Sequence, residues 1–282
     1  MVFITNQSIN AEIARQQKLA YDIANYQQQI STGVKFDKPS DNPQSWIQIS
    51  NLGRQQSLTD AWQSNIGYAQ SRAAQATSSL DDVGNLMTQV KENLIKATGQ
   101  GPGSPGQEAI AITLEGIRQS IYTIMTQKDY QGTPTFDDGD TSIAVPVGQG
   151  LAFDAVPTRK SVEEGIVTQS GTKTIYQILD AAIAAVRTND TKGMTDGLDD
   201  TNVALNHVIV EGSKQGVREK RLENEDVRLS TSSLQLAERR SNLEDTDLTD
   251  VITHVQAKLT SLQAAQAAFA KINQQSLFDL LR

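Results

Sequence analysis

The chain contains no cysteine and only two histidines, His207 and His254, among its 282 residues. Disulfides, thiolate metal sites, iron–sulfur ligation and thiol nucleophiles are thereby excluded, and so is an imidazole metal cluster. Aromatic residues make up 5% of the chain, and no run approaches the length of about 18 apolar residues that a membrane-spanning helix needs. The N-terminal stretch MVFITNQSINAEIARQQ has neither a basic n-region nor an apolar h-region, so the sequence predicts no membrane insertion and no cleaved secretory signal. Positive charge is in deficit as well. The 25 Lys and Arg against 33 Asp and Glu leave a net charge of −8, which argues against nucleic acid as a partner, because phosphate neutralisation needs concentrated basic residues. With hydrophobic residues at 38%, a core can form, but a thin one.

Charge and helix breakers are scarce at the two ends in particular. Residues 1–30 carry four charged side chains (Glu12, Arg15, Lys18, Asp22) and residues 251–282 carry four more (Lys258, Lys271, Asp279, Arg282), and neither stretch contains Gly or Pro. Termini are ordinarily polar and frayed, so two long, charge-poor, helix-compatible ends need a partner. Their apolar residues follow helical spacing: Ile9, Ile13, Ala20, Ile23 and Ile30 at one end, Leu248, Ile252, Val255, Leu259, Leu262 and Phe269 at the other. In the second set residues 248, 255, 262 and 269 recur every seven positions with 252 and 259 between them, the pattern of a coiled-coil seam. That seam turns polar at Gln266 and Asn273 before Leu277, Phe278, Leu280 and Leu281. The two ends are expected to pair with each other.

Between them the longest periodic run is Trp62, Ile66, Ala69, Ala73, Ala76, Leu80, Val83, Met87, Val90 and Leu94, which predicts one helix over residues 44–98. Gly67 and Gly84 interrupt it at about 1 kcal/mol each relative to Ala, a cost that close approach of another helix would explain. The run stops at GQGPGSPGQ, and Ile110, Leu114, Ile117, Ile121 and Ile124 begin a second helix. From Tyr130 to Thr174 the texture changes to Gly, Pro, Thr and Val with short alternating stretches, which reads as a small β-rich insert. Helical spacing returns at Ile175, Leu179, Ala182 and Val186, and a long helix follows from about 194 to 243 with Leu222, Leu229, Leu236 and Leu243 seven apart. So narrow a stripe suits a bundle better than a globular core. The fold class is mainly α: an elongated antiparallel helical bundle with a coiled-coil-like terminal helix pair and a small β-rich central insert.

Candidate chemical sites are poor. The loop GQGPGSPG and the stretch Ser170–Thr174 lack the spacing of a phosphate loop. Asp137, Asp138, Gly139 and Asp140 lack the Glu that completes a calcium loop and read as a surface turn. Glu244, Asp245, Asp247 and Asp250 mark a helix break and restart, with the acids favoured by the new N-terminal dipole. His207 and His254 read as ordinary helix residues, Trp46 and Trp62 as packing anchors, and two glycosylation sequons carry no weight without a signal peptide. No catalytic, cofactor or metal site is expected, and no enzyme. The ends are instead dense in Gln, among them Gln16, Gln17, Gln27, Gln28, Gln29, Gln263 and Gln266. Amides can both donate and accept where identical copies pack together, whereas like charges would repel.

Ile30-Ser31-Thr32-Gly33-Val34-Lys35-Phe36-Asp37-Lys38-Pro39-Ser40-Asp41-Asn42-Pro43 resembles the Ser-Thr-Gly, basic residue, Pro-Ser-Asp-Asp-Pro stretch of the flagellin-related hook–filament junction proteins, the third hook-associated proteins. Asn242-Leu243-Glu244-Asp245-Thr246-Asp247-Leu248 and Gln275-Ser276-Leu277-Phe278-Asp279-Leu280-Leu281 are similar to the corresponding C-terminal stretches of that family. Flagellins carry Ala-Arg-Asp-Asp-Ala-Ala-Gly where this chain has Pro39-Ser40-Asp41-Asn42-Pro43, so the junction branch is preferred. Flagellin itself is the alternative, and a secreted type III needle-tip or translocator protein a remote one.

The resemblance implies a secreted structural subunit of the bacterial flagellum that leaves the cell by type III export. Its partners would be itself in a ring or helical assembly, flagellin, another hook-associated protein, and an export chaperone before secretion. It implies five segments: 1–43, an N-terminal assembly helix and spoke; 44–129, long bundle helices; 130–174, the insert, exposed outside as a decoration; 175–243, bundle helices; and 244–282, a C-terminal assembly helix. Ile9, Ile13, Ile23, Ile30, Leu248, Ile252, Val255, Leu259, Leu262, Phe269, Leu277 and Phe278 would form the assembly interface. Ser31, Thr32, Gly33, Pro39, Ser40, Asp41, Asn42 and Pro43 would form the non-helical spoke.

Overall fold

The computed structural model describes residues 2–101, 103–129 and 131–280, apart from the side chains of residues 2–6, 8 and 272–280. The described residues form seven helices and two small antiparallel sheets. In chain order these are α1 (Val2–Thr32), α2 (Pro43–Thr98), α3 (Pro105–Met125), β1 (Ala144–Gly148), β2 (Leu151–Asp154), α4 (Arg159–Glu163), β3 (Ile166–Thr168), β4 (Gly171–Lys173), α5 (Ile175–Thr188), α6 (Thr191–Glu244) and α7 (Leu248–Leu280). They fall into two compact units, residues 58–232 and residues 1–57 with 233–282.

Local chemistry sets the helix limits in the first unit. α3 opens on Ser104, whose hydroxyl accepts from the Gln107 amide, with Pro105 at the first helical position. α5 opens on a reciprocal capping box of Thr174 and Gln177, and it closes on Asn189 in the left-handed conformation at φ 53°. The line Ile66, Ala69, Ala73, Ala76, Leu80, Val83, Met87, Val90 and Leu94 of α2 is fully buried or nearly so. Ala111, Leu114 and Ile121 of α3, Ile175, Ile178, Leu179, Ala182 and Val186 of α5, and Ala204, Val208 and Leu222 of α6 belong to the same core. Trp62 packs on a smaller cluster of Ile66, Val147 and Leu229, whereas Trp46 is exposed. Gly67 and Gly84 have no atom within 4 Å of where a Cβ would stand, so close packing inside this chain does not explain them.

The insert consists of two hairpins and the one-turn helix α4. β1 pairs with β2 from Ala144 opposite Asp154 to Gly148 opposite Leu151, with a register shift between Pro146 and Gly148. β3 pairs with β4 from Ile166 opposite Lys173 to Thr168 opposite Gly171. The insert is integral to the core of this unit, whichever way it faces in an assembly. Phe136, Ala155, Val156, Val162 and Ile166 are buried in the same core as the helices.

Buried polar groups fasten the insert further. Asp137, expected in a surface turn, is fully buried with Arg72 of α2, at 2.9 Å. Its other oxygen accepts from the Ile143 amide at 2.7 Å, and Arg72 also donates to the Pro134 carbonyl at 3.1 Å. Gln215 of α6, fully buried, donates to the carbonyls of Ala73 and Ala155, joining α6, α2 and the insert. The sequence hides this because a lone Asp in a Gly- and Asp-rich loop has the composition of a solvated turn.

These contacts set the cost of disturbing the insert. Phe136→Ala should cost about 3–5 kcal/mol in urea unfolding. Asp137→Ala, which strands Arg72 in the core, should cost a similar amount, about 3–5 kcal/mol. Arg72→Met with Asp137→Leu should cost much less than the single change, and exchanging residues 130–174 for a short linker should unfold residues 58–232. Glu163 adds a pH dependence: burial lifts its carboxyl above the usual range, although the Tyr176 hydroxyl donates to it at 2.6 Å. A raised carboxyl favours the folded state below its unfolded pKa of about 4.5, and that contribution fades as pH rises through the folded value. Glu163→Gln removes a contribution that grows as pH falls, so it should steepen the acid limb of a melting-temperature profile.

Candidate assembly surface

α1 is a helix with a mixed inner line. Ile9, Glu12, Gln16, Leu19, Ile23, Tyr26 and Ile30 are partly or fully buried, at alternating spacings of three and four, whereas Ile13 and Ala20 are exposed. α7 answers with Val251, Val255, Lys258, Leu262, Ala265 and Phe269. The antiparallel pair is keyed at one level by Tyr26 stacked on His254 at 5.7 Å with an 11° interplanar angle, and by an ion pair of Lys258 with Asp22. The hydrogen bond to Asp22 holds the Lys258 ammonium above its ordinary pKa, and the ammonium also lies 5.9 Å from the Tyr26 ring centroid.

The seam differs from the expected one in half of its members. Leu248, Ile252 and Leu259, placed in the helix pair by their spacing, are exposed at 46%, 43% and 38%, and Ile13 at 41%. Val255, Leu262 and Phe269 do face α1, while Val251 and Lys258 were missed. The reason is geometric. At about 100° per residue, Val251, Lys258 and Ala265 lie about 40–80° to one side of Val255, and Leu248, Ile252 and Leu259 about 20–60° to the other. Both flanks satisfy a three–four alternation through the same central residues, and α1 covers one of them. The other is an apolar stripe without cover among the described residues. Leu277 and Phe278 have side chains outside the described residues.

The non-helical spoke is built from backbone-directed side chains. Gly33, at φ 75°, ends α1 by donating to the Gln29 carbonyl at 2.8 Å, a conformation that residues with a Cβ rarely adopt. Asp41 accepts from the amides of Asp37 and Lys38, closing the turn around Pro39 and Ser40. Asn42 accepts from the Ser45 amide and so caps α2, with Pro43 at the first helical position. Thr32 returns its hydroxyl to the Gln28 carbonyl, and Ser31 is exposed.

This spoke is also tied to the break before α7. Lys35 donates its amide to the Glu244 carbonyl at 2.7 Å, and the Thr246 amide donates to the Gly33 carbonyl at 2.9 Å, with Val34 opposite Asp245. Asp247 then caps α7, accepting from the Thr249 and Asp250 amides. Both interruptions of the helical chain thus form one short antiparallel joint. Among the described residues no group of three His, Asp or Glu is placed to hold a metal, and no helix is long and apolar enough to cross a membrane.

A long helix pair made from the two chain ends, joined through one spoke and bearing an uncovered apolar flank, defines the class: a helical assembly subunit of flagellin type. The chain belongs to the bacterial flagellin family. The model of the flagellin N-terminal helical region matches residues 3–141, and that of the C-terminal helical region matches residues 198–281. Flagellar hook-associated protein 3 of Escherichia coli K12 is 24% identical over 90% of this chain and 92% of its own length. A flagellin of Brucella melitensis biotype 1 is 20% identical over 99% of this chain and 98% of its own. Among solved structures, flagellar hook-associated protein 3 of Legionella pneumophila shares the fold at a TM-score of 0.62 and 12% identity, covering 69% of this chain and 98% of that one.

The two flanks of α7 separate in a substitution pair. Val255→Asp should abolish the α1–α7 pairing in the monomer, seen as rapid amide exchange across residues 9–30. Ile252→Asp should leave that exchange unchanged, because its side chain touches solvent already.

Proposed function

We propose that the protein is a structural subunit of the bacterial flagellum that joins hook to filament by helical packing of its terminal helices. The observation that carries this reading is the half-covered α7. Its inner flank is consumed by α1, while Leu248, Ile252 and Leu259 stay exposed as a stripe that further subunits can cover. The Gln-rich remainder of that surface offers hydrogen bonding without charge repulsion between copies.

On this reading its partners are further copies of itself in a ring or helical assembly, flagellin on one side, another hook-associated protein on the other, and an export chaperone before secretion. The working location is outside the cell, on the flagellum, and the role is mechanical rather than catalytic. Pro39-Ser40-Asp41-Asn42-Pro43 favours the junction role over that of filament subunit, because this stretch resembles the junction proteins and departs from the Ala-Arg-Asp-Asp-Ala-Ala-Gly of flagellins. Flagellin remains the second reading, supported by the full-length similarity to the Brucella flagellin.

The roles differ in closure. A junction subunit meets different partners above and below, so its self-association stops at a ring, whereas a filament subunit repeats one contact without end. Ile252→Asp would bury an unpaired carboxylate in the assembly and should cost several kcal/mol, on the order of 3–5, of assembly free energy. Cells carrying it should keep their hooks and shed flagellin into the medium. Purified wild-type protein that grows alone into micrometre filaments on seeding would replace the junction reading with flagellin.

A further inference from the structure

α6 carries a second exposed apolar line, separate from the terminal helices and lying wholly within residues 58–232. Val203, Val210 and Val217 are 37%, 51% and 55% exposed and recur every seven residues, so they stand on one face. Asp199 and Arg221 extend the same line at its two ends and are exposed; among the described residues neither makes a salt bridge within 4 Å, although Arg221 lies near enough to Asp154 to feel its charge. Lys214 on this face is already held by Glu211 at 2.7 Å, and Asp196 by Lys192 at 2.6 Å.

The placement has a two-fold symmetry of its own. Val203 and Val217 each lie seven residues from Val210, and Asp199 and Arg221 each lie eleven, about 16 Å along the helix. Two copies of α6 laid antiparallel with Val210 at the crossing point therefore set Val203 beside Val217 and Asp199 beside Arg221, twice over. A parallel arrangement in the same register would instead place Asp199 against Asp199 and Arg221 against Arg221. Charge complementarity thus selects both the occupant and its direction. The end pair Lys192 and Arg228 meets no net repulsion, because Asp196 and Glu225 neutralise each on its own helix.

We propose that the face of α6 formed by Asp199, Val203, Val210, Val217 and Arg221 is an isologous docking surface for a second copy of this chain, paired antiparallel about Val210. The contact does not use α1 or α7, so it goes beyond the flagellar reading. An arrangement with two-fold symmetry also differs from the head-to-tail contact of a polar assembly, and it describes the protein before or outside assembly. Three valines over so short a span place it at the low end of interface size, the class of weak and transient contacts.

The test uses the full chain in sedimentation velocity from about 10 μM to 1 mM, a range that brackets so small an interface. A concentration-dependent dimer is expected. Val210→Lys should weaken it about tenfold or more, and Asp199→Arg or Arg221→Asp alone about threefold or more, each with unchanged helicity by circular dichroism. The double variant Asp199→Arg with Arg221→Asp should restore it, and Ile252→Asp should leave it unaffected. Because the chain has no cysteine, Val210→Cys should give a disulfide-linked dimer under mild oxidation, while the control Val167→Cys, at a still more exposed position, should not. The proposal is overturned by a monomer throughout the range, by a dimer indifferent to Val210→Lys, or by a double charge swap that fails to rescue.

Discussion

The thinness of the apolar stripe on each long helix is the constraint from which the rest of the structure follows. α2 has 56 residues and α6 has 54, yet each buries only about one residue per helical turn. A stripe that narrow cannot close a core between two helices alone. In residues 58–232 the deficit is made up by α3, α5 and the insert, whose Phe136, Val156 and Ile166 complete the cluster begun by Ala73, Val83 and Met87. Small residues at 69, 73 and 76 leave room for that third layer. Among the described residues of the terminal unit, α1 and α7 pack chiefly on each other, and half of the apolar arc of α7 stays bare.

Polar groups specify what the thin core cannot. Arg72 with Asp137 and Gln215 with the Ala73 and Ala155 carbonyls are buried, and a shifted insert would strand each of them without partners. They fix which loop sits on which helix, a choice that hydrophobic area alone leaves degenerate. At the spoke the same economy operates on backbone groups. Gly33, Asp41, Asn42 and Asp247 each satisfy amides or carbonyls left over where a helix stops or starts. The two interruptions share their remaining donors and acceptors, so the exit from α1 and the entry to α7 are set together.

Membership of the flagellin family accounts for the fold, and the proposed role in assembly accounts for the pattern of exposure. A subunit whose terminal helices complete their packing against neighbours carries apolar side chains that a solitary protein would bury. Leu248, Ile252 and Leu259 are exposed apolar side chains that the proposed role would cover in this way. The helix-interior glycines at 67, 84, 116, 212 and 216, with nothing within 4 Å of a Cβ, are helix-weakening positions that the isolated chain does not explain.

Helix existence and limits were determined by the sequence itself. The run from Trp62 to Leu94, the breakers after Thr98, the capping residues at 42, 104, 174 and 247, and the family resemblance at residues 30–43 all act within one or two turns of chain, so they are legible without knowledge of distant residues. What only the tertiary structure decided were choices between locally equivalent partners. Val251 and Ile252 are neighbours of similar hydrophobicity on one helix, and nothing local says which faces α1. Asp137 and Asp138 stand side by side in one loop, yet only the first meets Arg72 in the core, 65 residues away. Residue type and period fix how much surface an element must bury, whereas the side it buries depends on a partner's shape and charge, which the element's own sequence does not contain.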